Sequence, residues 1–432
     1  MTTIAVTYDY GSVNVAEIAM GLGHLGDLVF VGEDSPHTTP LIPLLQDLGE
    51  VVRLDRGFDE AADLLAVLAP DAIVSYSDAM LPVTARLAER LGLPYHSVRT
   101  ASLLTDKSRQ RQRLRETGVE DVRSAALTTP GDWAAAVAAV GLPAVLKPVH
   151  GQGSRDAHLV TDADAGRALF TALIGSAQPA GAPVFVLEEY LVGRPSEPFG
   201  DYVSVETVCT PSGRVPLAVS GKLPQLTPFR ETGQVWPSPL PKEEIQQIED
   251  LVDRALDALG VTTGITHTEV KLTADGPRIV EVNGRLGGRI NEMCRRALGF
   301  DCVELSGRLA LGLTAWTPPP PPRGFHFQYI PPAPVEEFTL EEVHGIDAVR
   351  ALPGVVAYRP TVEPGEHWPT SVMTRPLDTV TGAGGSFEEV FATMERARRL
   401  LSYTFTFAGG TRTLTAAELE HLPVTVPGGE AR

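Results

Sequence analysis

Three stretches of this 432-residue sequence carry side chains whose types and spacing could do chemistry. The first is THTEVKLTADGPRIVEVNGRLGGR, residues 266–289. Strand alternation puts His267, Glu269 and Lys271 on one face, and Glu281 and Asn283 on one face of the partner strand. A three-residue turn at 274–276 sets Glu269 directly opposite Glu281. Opposed Cβ atoms lie roughly 4.5–5.5 Å apart, where like charges repel. Two carboxylates with an amide oxygen two residues on therefore want a cation between them. An all-oxygen donor set on few side chains suits Mg²⁺, or Mn²⁺ in its place, completed by phosphate oxygens and water. The competing reading is a solvated outer face of a hairpin. Gly264 and the glycines from Gly284 to Gly288 favour a closely approaching ligand instead. Arg285, two residues past Asn283, projects to the same place, where a fixed guanidinium would stabilise charge developing in a transition state.

The second stretch is LKPVHGQGSRD, residues 146–156. Lys147 ends a strand, and Gly151, Gly153 and Ser154 form a loop whose amides and hydroxyl suit phosphates. It is not a P-loop, because the GxxxxGK[ST] spacing is absent. The third, Glu188–Glu189–Tyr190–Leu191, is a strand end that taken alone reads equally well as an exposed edge.

The surrounding pattern says what must position these groups. Strands over 4–8, 28–32 and 72–76 alternate with helices over 15–25, 59–68 and 81–91, which implies a doubly wound parallel sheet. A helix follows over 105–117, then strands over 144–148, 184–191 and 202–209, a long helix over 241–259, and the hairpin 265–272/278–282. The proline run 318–322 reads as a stiff connection. Beyond it the chain is β-rich with one helix, 386–400, and a frayed tail after Pro423. The expected units are 1–104, 105–191, 192–315 and 316–432, α/β at first and α+β in the second half.

Composition narrows the function classes. The net charge of −18, from 54 acidic and 36 basic residues, argues against a nucleic-acid partner. Three cysteines make no disulfide scaffold and show no metal-ligand spacing. The N-terminus lacks the features of a signal peptide, and no run of about 18 apolar residues suits a membrane span. A cytoplasmic protein is expected, and an acidic chain of this size fits a homodimer. Only Lys107, Lys147, Lys222, Lys242 and Lys271 are lysines, so each of them merits attention.

Taken in order, these pieces resemble the ATP-grasp superfamily of carboxylate–amine ligases over most of residues 70–315. Within it they are most similar to bacterial L-amino-acid ligases of the bacilysin-synthetase type. The resemblance implies an ATP-grasp fold with an N-terminal preATP-grasp domain and a β-rich C-terminal subdomain. It implies ATP contacts from Lys107, Lys147, the Gly151, Gly153 and Ser154 loop, a hinge at Glu188, Glu189 and Leu191, and Asp201 at the ribose. Glu269, Glu281 and Asn283 would be the Mg²⁺ ligands, and Arg285 would steady the acyl-phosphate and tetrahedral intermediate. Glu231 would hold the first substrate's amino group, with Gly288 and Arg289 lining the substrate pocket. There are departures: a longer link at 194–201, Asp156 where a glycine is expected, Gln234 for a histidine, and a large cation at Arg289. Arg289 would bind a substrate carboxylate or pair with Glu292 or another acidic neighbour. The implied reaction activates an amino-acid carboxylate as an acyl-phosphate with release of ADP, and an amine then displaces phosphate to give an amide, such as a dipeptide or γ-glutamyl product. The alternatives are a carboxyphosphate-forming carboxylase and a non-catalytic nucleotide-binding regulator; the latter has no need of metal carboxylates and the arginine together.

Overall fold

The computed structural model describes residues 2–176, 184–313, 317–318 and 322–424. Most of the proline run and the tail beyond residue 424 lie outside them.

Four N-terminal strands, three of them buried apolar runs, pair in parallel in the order Gly49–Arg53, Asp27–Gly32, Thr3–Thr7, Ala72–Ser75. Strand Gly49–Arg53 escapes the sequence pattern because it is an edge strand on which only Val52 is fully buried. Helices Val15–Leu22 and Cys302–Ala310 pack on one face of this sheet, and Phe58–Leu68 and Leu81–Leu91 on the other. The first of these is shorter than the expected 15–25: the Gly23 N–H makes its last α-helical bond, to Ala19 O, and Leu25 N then turns to Leu22 O.

The helix expected over 105–117 is Lys107–Glu116, and a further helix not expected from the sequence, Val98–Thr105, precedes it. Asp106 breaks the run, with extended backbone and a side chain that accepts from Arg109 N as an N-cap. The cap fixes Lys107 as the first helical residue. A four-stranded antiparallel sheet follows, ordered Ser124–Leu127, Phe185–Glu189, Ala144–Pro148, His158–Val160.

An eight-stranded sheet forms the centre of the molecule, with hairpin Gly264–Thr273/Gly276–Asn283 at one edge. Strand Phe325–Tyr329 pairs with Gly233–Trp236, so strands on both sides of residue 315 share this sheet. In the hairpin Glu269 faces Glu281 and His267 faces Asn283. The route to that register differs from the expected one. The turn has two residues, Ala274 and Asp275, between paired Thr273 and Gly276, and the extra residue is a bulge at Val280. A two-residue turn alone would oppose Glu269 to Val280; the bulge restores the carboxylate pair. Arg111 holds the bulge by donating to Ile279 O at 2.7 Å and Val280 O at 2.6 Å. Gln110 bridges both the N–H and the carbonyl of Val282 at 2.8 Å.

The last sheet, His367–Trp368, Phe338–His344, Ser402–Phe407 and Gly410–Thr415, packs with helix Phe387–Leu400 over the central sheet. Asp378, which opens strand Asp378–Gly384, is fully buried and accepts from the Tyr403 hydroxyl at 2.5 Å. Burial pushes its carboxyl up to about 6, against the phenols of Tyr403 and Tyr358, which hold it down. The folded-state value lies above the unfolded one of about 3.9. This group's contribution to stability is therefore complete below about pH 4 and lost as pH rises through about 6. Relative to Asp378→Asn, the wild type should lose about 2–3 kcal/mol between pH 4 and 7.5. Urea midpoints measured across that range read the difference; parallel pH profiles for the two proteins would refute it.

Candidate active site

A cavity of about 470 Å³ lies where the four sheets' loops converge. Tyr10, Gly11 and Ser12 enter it from beyond the first parallel strand, at the carboxyl end where open α/β sheets bind ligands. The loop after Ala144–Pro148, the carboxylate hairpin, and a C-terminal segment including Met373, Thr374 and Arg375 supply the other walls. Lys107, Lys147, Gly151, Gly153, Ser154, Glu188, Glu189, Leu191, Glu231, Glu269, Glu281, Asn283, Arg285, Gly288 and Arg289 all line it. Asp201 does not, and reaches it through Lys271, whose ammonium lies 2.6 Å from its carboxylate.

At one end the buried Glu188 accepts from Lys147 Nζ at 2.9 Å and lies 3.2 Å from Arg111 Nε, both on the same oxygen. Burial alone would raise its pKa, but the two cations hold the carboxyl below its ordinary range. Its second oxygen is buried with no hydrogen-bond partner among the described residues. Glu189 turns its carboxylate away, to Arg123 at 3.1 Å. Lys107 joins two walls, donating to Gly151 O at 2.8 Å and pairing with Glu281 at 3.0 Å.

The loop itself carries positive φ at Gly151, Gly153, Ser154 and Asp156. Asp156, the departure from an expected glycine, thus holds a glycine-like conformation, at φ +51°. Two backbone bonds lace the loop to the C-terminal segment: Thr374 N to Gly153 O and Asp156 N to Val372 O, each 2.8 Å.

The like-charge repulsion expected between Glu269 and Glu281 is answered here by side chains of the chain itself. Lys107 sits on Glu281, and His267 Nε2 lies 3.6 Å from Glu269. His267 Nδ1 is 2.5 Å from Glu206. Burial would lower the imidazole pKa, but Glu206 foremost, with Glu269, raises it to about 9, so the ring is charged at neutral pH. Among the described residues no three His, Cys, Asp or Glu side chains form a metal cluster. The candidate cation donors remain two opposed carboxylates and the Asn283 amide, an oxygen set that fits a hard divalent ion with ligand oxygens completing it.

Gly287 donates to the second oxygen of Glu206 at 3.1 Å. A Cβ there would run into the His267 ring and come within 2.9 Å of Glu206. Gly287→Ala should therefore destabilise the protein by about 1–3 kcal/mol, read as a lowered melting temperature. An unchanged melting curve would mean that the pair is not held this tightly.

Arg285 is almost fully buried, and its guanidinium is clamped by Asp78, with Nε donating at 3.0 Å and Nη2 to the same oxygen. Asp78 stands in the turn after strand Ala72–Ser75, so the N-terminal sheet orients a side chain of the hairpin edge. The residue escaped the sequence reading; its one signal was an acid at the carboxyl end of a parallel strand. Arg111 was hidden in a run of arginines in the same way.

Glu231 lies 3.5 Å from both Lys222 and Arg289 and accepts from the Tyr202 hydroxyl. Burial would raise its pKa; Lys222 first, then Arg289, keeps it ionised below the ordinary range. Arg289 thus pairs with an acidic neighbour other than Glu292, which takes Arg296. Lys222 also donates to Gln234, the residue standing where a histidine was expected, at 3.3 Å.

Known proteins share this arrangement of chain. The ATP-grasp domain family matches residues 140–293. A D-alanine–D-alanine ligase of Aromatoleum aromaticum is 32% identical over 229 residues, 51% of this chain and 70% of that ligase. The chain belongs to the ATP-grasp family. An alanine–anticapsin ligase of Bacillus subtilis is 28% identical over 249 residues, 54% of this ATP-grasp chain, which spans about half (52%) of that relative's length. The family fold extends nearly end to end: the crystal structure of an L-amino acid ligase from Bacillus licheniformis superposes with a TM-score of 0.77 at 20% identity, covering 93% of this chain and 98% of that one. Among the described residues no helix is long and apolar enough to cross a membrane.

Proposed function

We propose that this ATP-grasp chain joins an amino-acid carboxylate to an amine, with ATP converted to ADP and phosphate and the carboxylate activated as an acyl-phosphate. The observation that carries the reading is one cavity lined by the Lys107 and Lys147 ammonium groups, the opposed Glu269 and Glu281, the clamped Arg285 and the ionised Glu231. Glu269, Glu281 and Asn283 would hold Mg²⁺, which when bound neutralises phosphate charge. Lys107 and Lys147 orient the phosphates under the Gly151–Ser154 loop, and the strand end at Glu188, Glu189 and Leu191 borders the base. Asp201 contributes through Lys271. Positioning and charge stabilisation dominate phosphoryl transfer, and Arg285 supplies a fixed positive charge for the oxyanions that develop. Glu231 receives the ammonium of the amino acid whose carboxylate reacts, with Gly288 and Arg289 beside it. The loop laced over the cavity excludes water, which would hydrolyse an acyl-phosphate. We place the protein in the cytoplasm as a homodimer, in keeping with its acidic composition and three free cysteines.

The test is ADP and phosphate release with Mg²⁺-ATP and the twenty amino acids, singly and in all pairs, with mass spectrometry of the products. Release that needs two amino acids, with a product of their summed mass less water, is the expected result. Release with bicarbonate and no amino acid would place the chain with carboxyphosphate-forming enzymes. ATP binding without turnover across a wider panel of carboxylates and amines would make it a regulator.

A further inference from the structure

Nine lysine and arginine side chains line the cavity, against five glutamates. Seven of the nine lie within 4 Å of a carboxylate. Arg155 and Arg375 are the exceptions: among the described residues neither has a carboxylate within 4 Å, and Arg155 shares its charge only at longer range with the neighbouring Asp156. Arg375 belongs to the segment whose Thr374 N–H bonds Gly153 O and whose Thr374 hydroxyl accepts from Glu231 N at 3.0 Å. It therefore stands between the glycine loop and the Glu231 loop. Its guanidinium is held 4.6 Å over the Trp368 ring, and Nη1 donates to Pro369 O at 3.0 Å. Nε and Nη2 have no protein partner among the described residues. Burial, then the charge of Arg155, makes its cationic form harder to keep. A guanidinium held in the cavity wall with two donors free and no carboxylate within 4 Å, beside a second arginine of the same wall, calls for an anionic ligand.

The charges of the reaction say which anion. When two amino acids are joined, the donor's carboxylate is consumed and its ammonium needs an acid, which Glu231 provides. The acceptor must shed its ammonium proton to attack, and it keeps a carboxylate that needs a cation. We propose that Arg375, with Arg155, binds the carboxylate retained by the amine-bearing substrate, so that the acceptor is an amino acid and not a simple amine. A guanidinium fork matches a carboxylate in two places, whereas an uncharged amide offers it one acceptor.

This inference rests on the ligase reading, and the experiment separates the two. ADP release is measured with each of the twenty amino acids as donor and with acceptors supplied as free amino acids or as their carboxamides, which can react only as amines. The wild type should prefer the free acids by about tenfold or more in kcat/KM. Arg375→Ala and the exposed-loop variant Arg155→Ala should erase that preference by raising the acceptor KM, with the KM for ATP within about twofold. Arg375→Gln, which keeps a planar group over Trp368, should behave as Arg375→Ala does even if the alanine variant folds poorly. A wild type that turns over free acids and carboxamides equally overturns this proposal and leaves the ligase reading standing. Variants that raise the KM for ATP without changing the acid-to-amide ratio overturn it too, making the pair a phosphate clamp. No ADP release with any pair sinks both readings.

Discussion

Arg285→Met is expected to lower kcat for ADP release by about two to three orders of magnitude, with the KM for ATP changed by no more than a few-fold. The methionine keeps the unbranched stem of a side chain that is 9% exposed and removes its guanidinium, so the loss reports chiefly charge and hydrogen bonding. Lysine should not rescue it. Asp78 is engaged by two nitrogens of one guanidinium, and a lysine ammonium cannot hold that fork and face the cavity at once. Asp78→Asn should shift kcat in the same direction by about tenfold, because it loosens the orientation of Arg285 without removing its charge. Single-turnover ADP formation distinguishes a slowed chemical step from slowed product release. A methionine variant that keeps more than a tenth of wild-type kcat would move Arg285 away from the reacting centre.

Glu281→Ala should cost about a hundredfold or more in kcat/KM, since a bound metal ion contributes several kcal/mol of charge stabilisation. It should also raise the Mg²⁺ concentration needed for half-maximal rate. Two effects combine at this position. The opposed carboxylate pair becomes a single Glu269, and Lys107 loses the partner at 3.0 Å that links it to the hairpin. Glu281→Gln separates them, because it keeps a hydrogen-bond acceptor for Lys107 while halving the charge of the pair. If the glutamine variant needs no more Mg²⁺ than the wild type, the two carboxylates do not share a cation. The metal would then have to be held elsewhere.

What could be read from the chain followed distance along it. Buried parallel strands such as Asp27–Gly32 show as apolar runs, and the carboxylate hairpin shows as alternation, since both patterns are local. The pairing of Glu269 with Glu281 was legible even though the turn was not, because a two-residue turn plus one bulged residue gives the same register as a three-residue turn. Helix Val98–Thr105 was hidden because its eight residues are too few for a clear helical period. Groups that orient the site from afar left little trace. Asp78 reaches Arg285 across 207 positions, and Arg111 reaches the bulged Val280 across 169. The C-terminal wall was the least visible part, because Thr374 and Arg375 lie in irregular chain and Trp368 in a two-residue strand too short for a periodic signal. Nothing in the residues 361–376 alone announces that they face the glycine loop.

The two backbone bonds from that wall to the glycine loop bear on the order of events in a turnover. On the proposed ligase reading, any lifting of the loop to exchange nucleotide would break the bonds from Thr374 to Gly153 and from Asp156 to Val372. Both partners sit on the segment that carries Arg375 and touches the Glu231 loop. In the proposed reaction, departure of ADP and departure of the joined product would thereby be tied to one motion. Chemistry done under a fastened loop would commit the reactants, and unfastening it would clear the whole site for the next cycle.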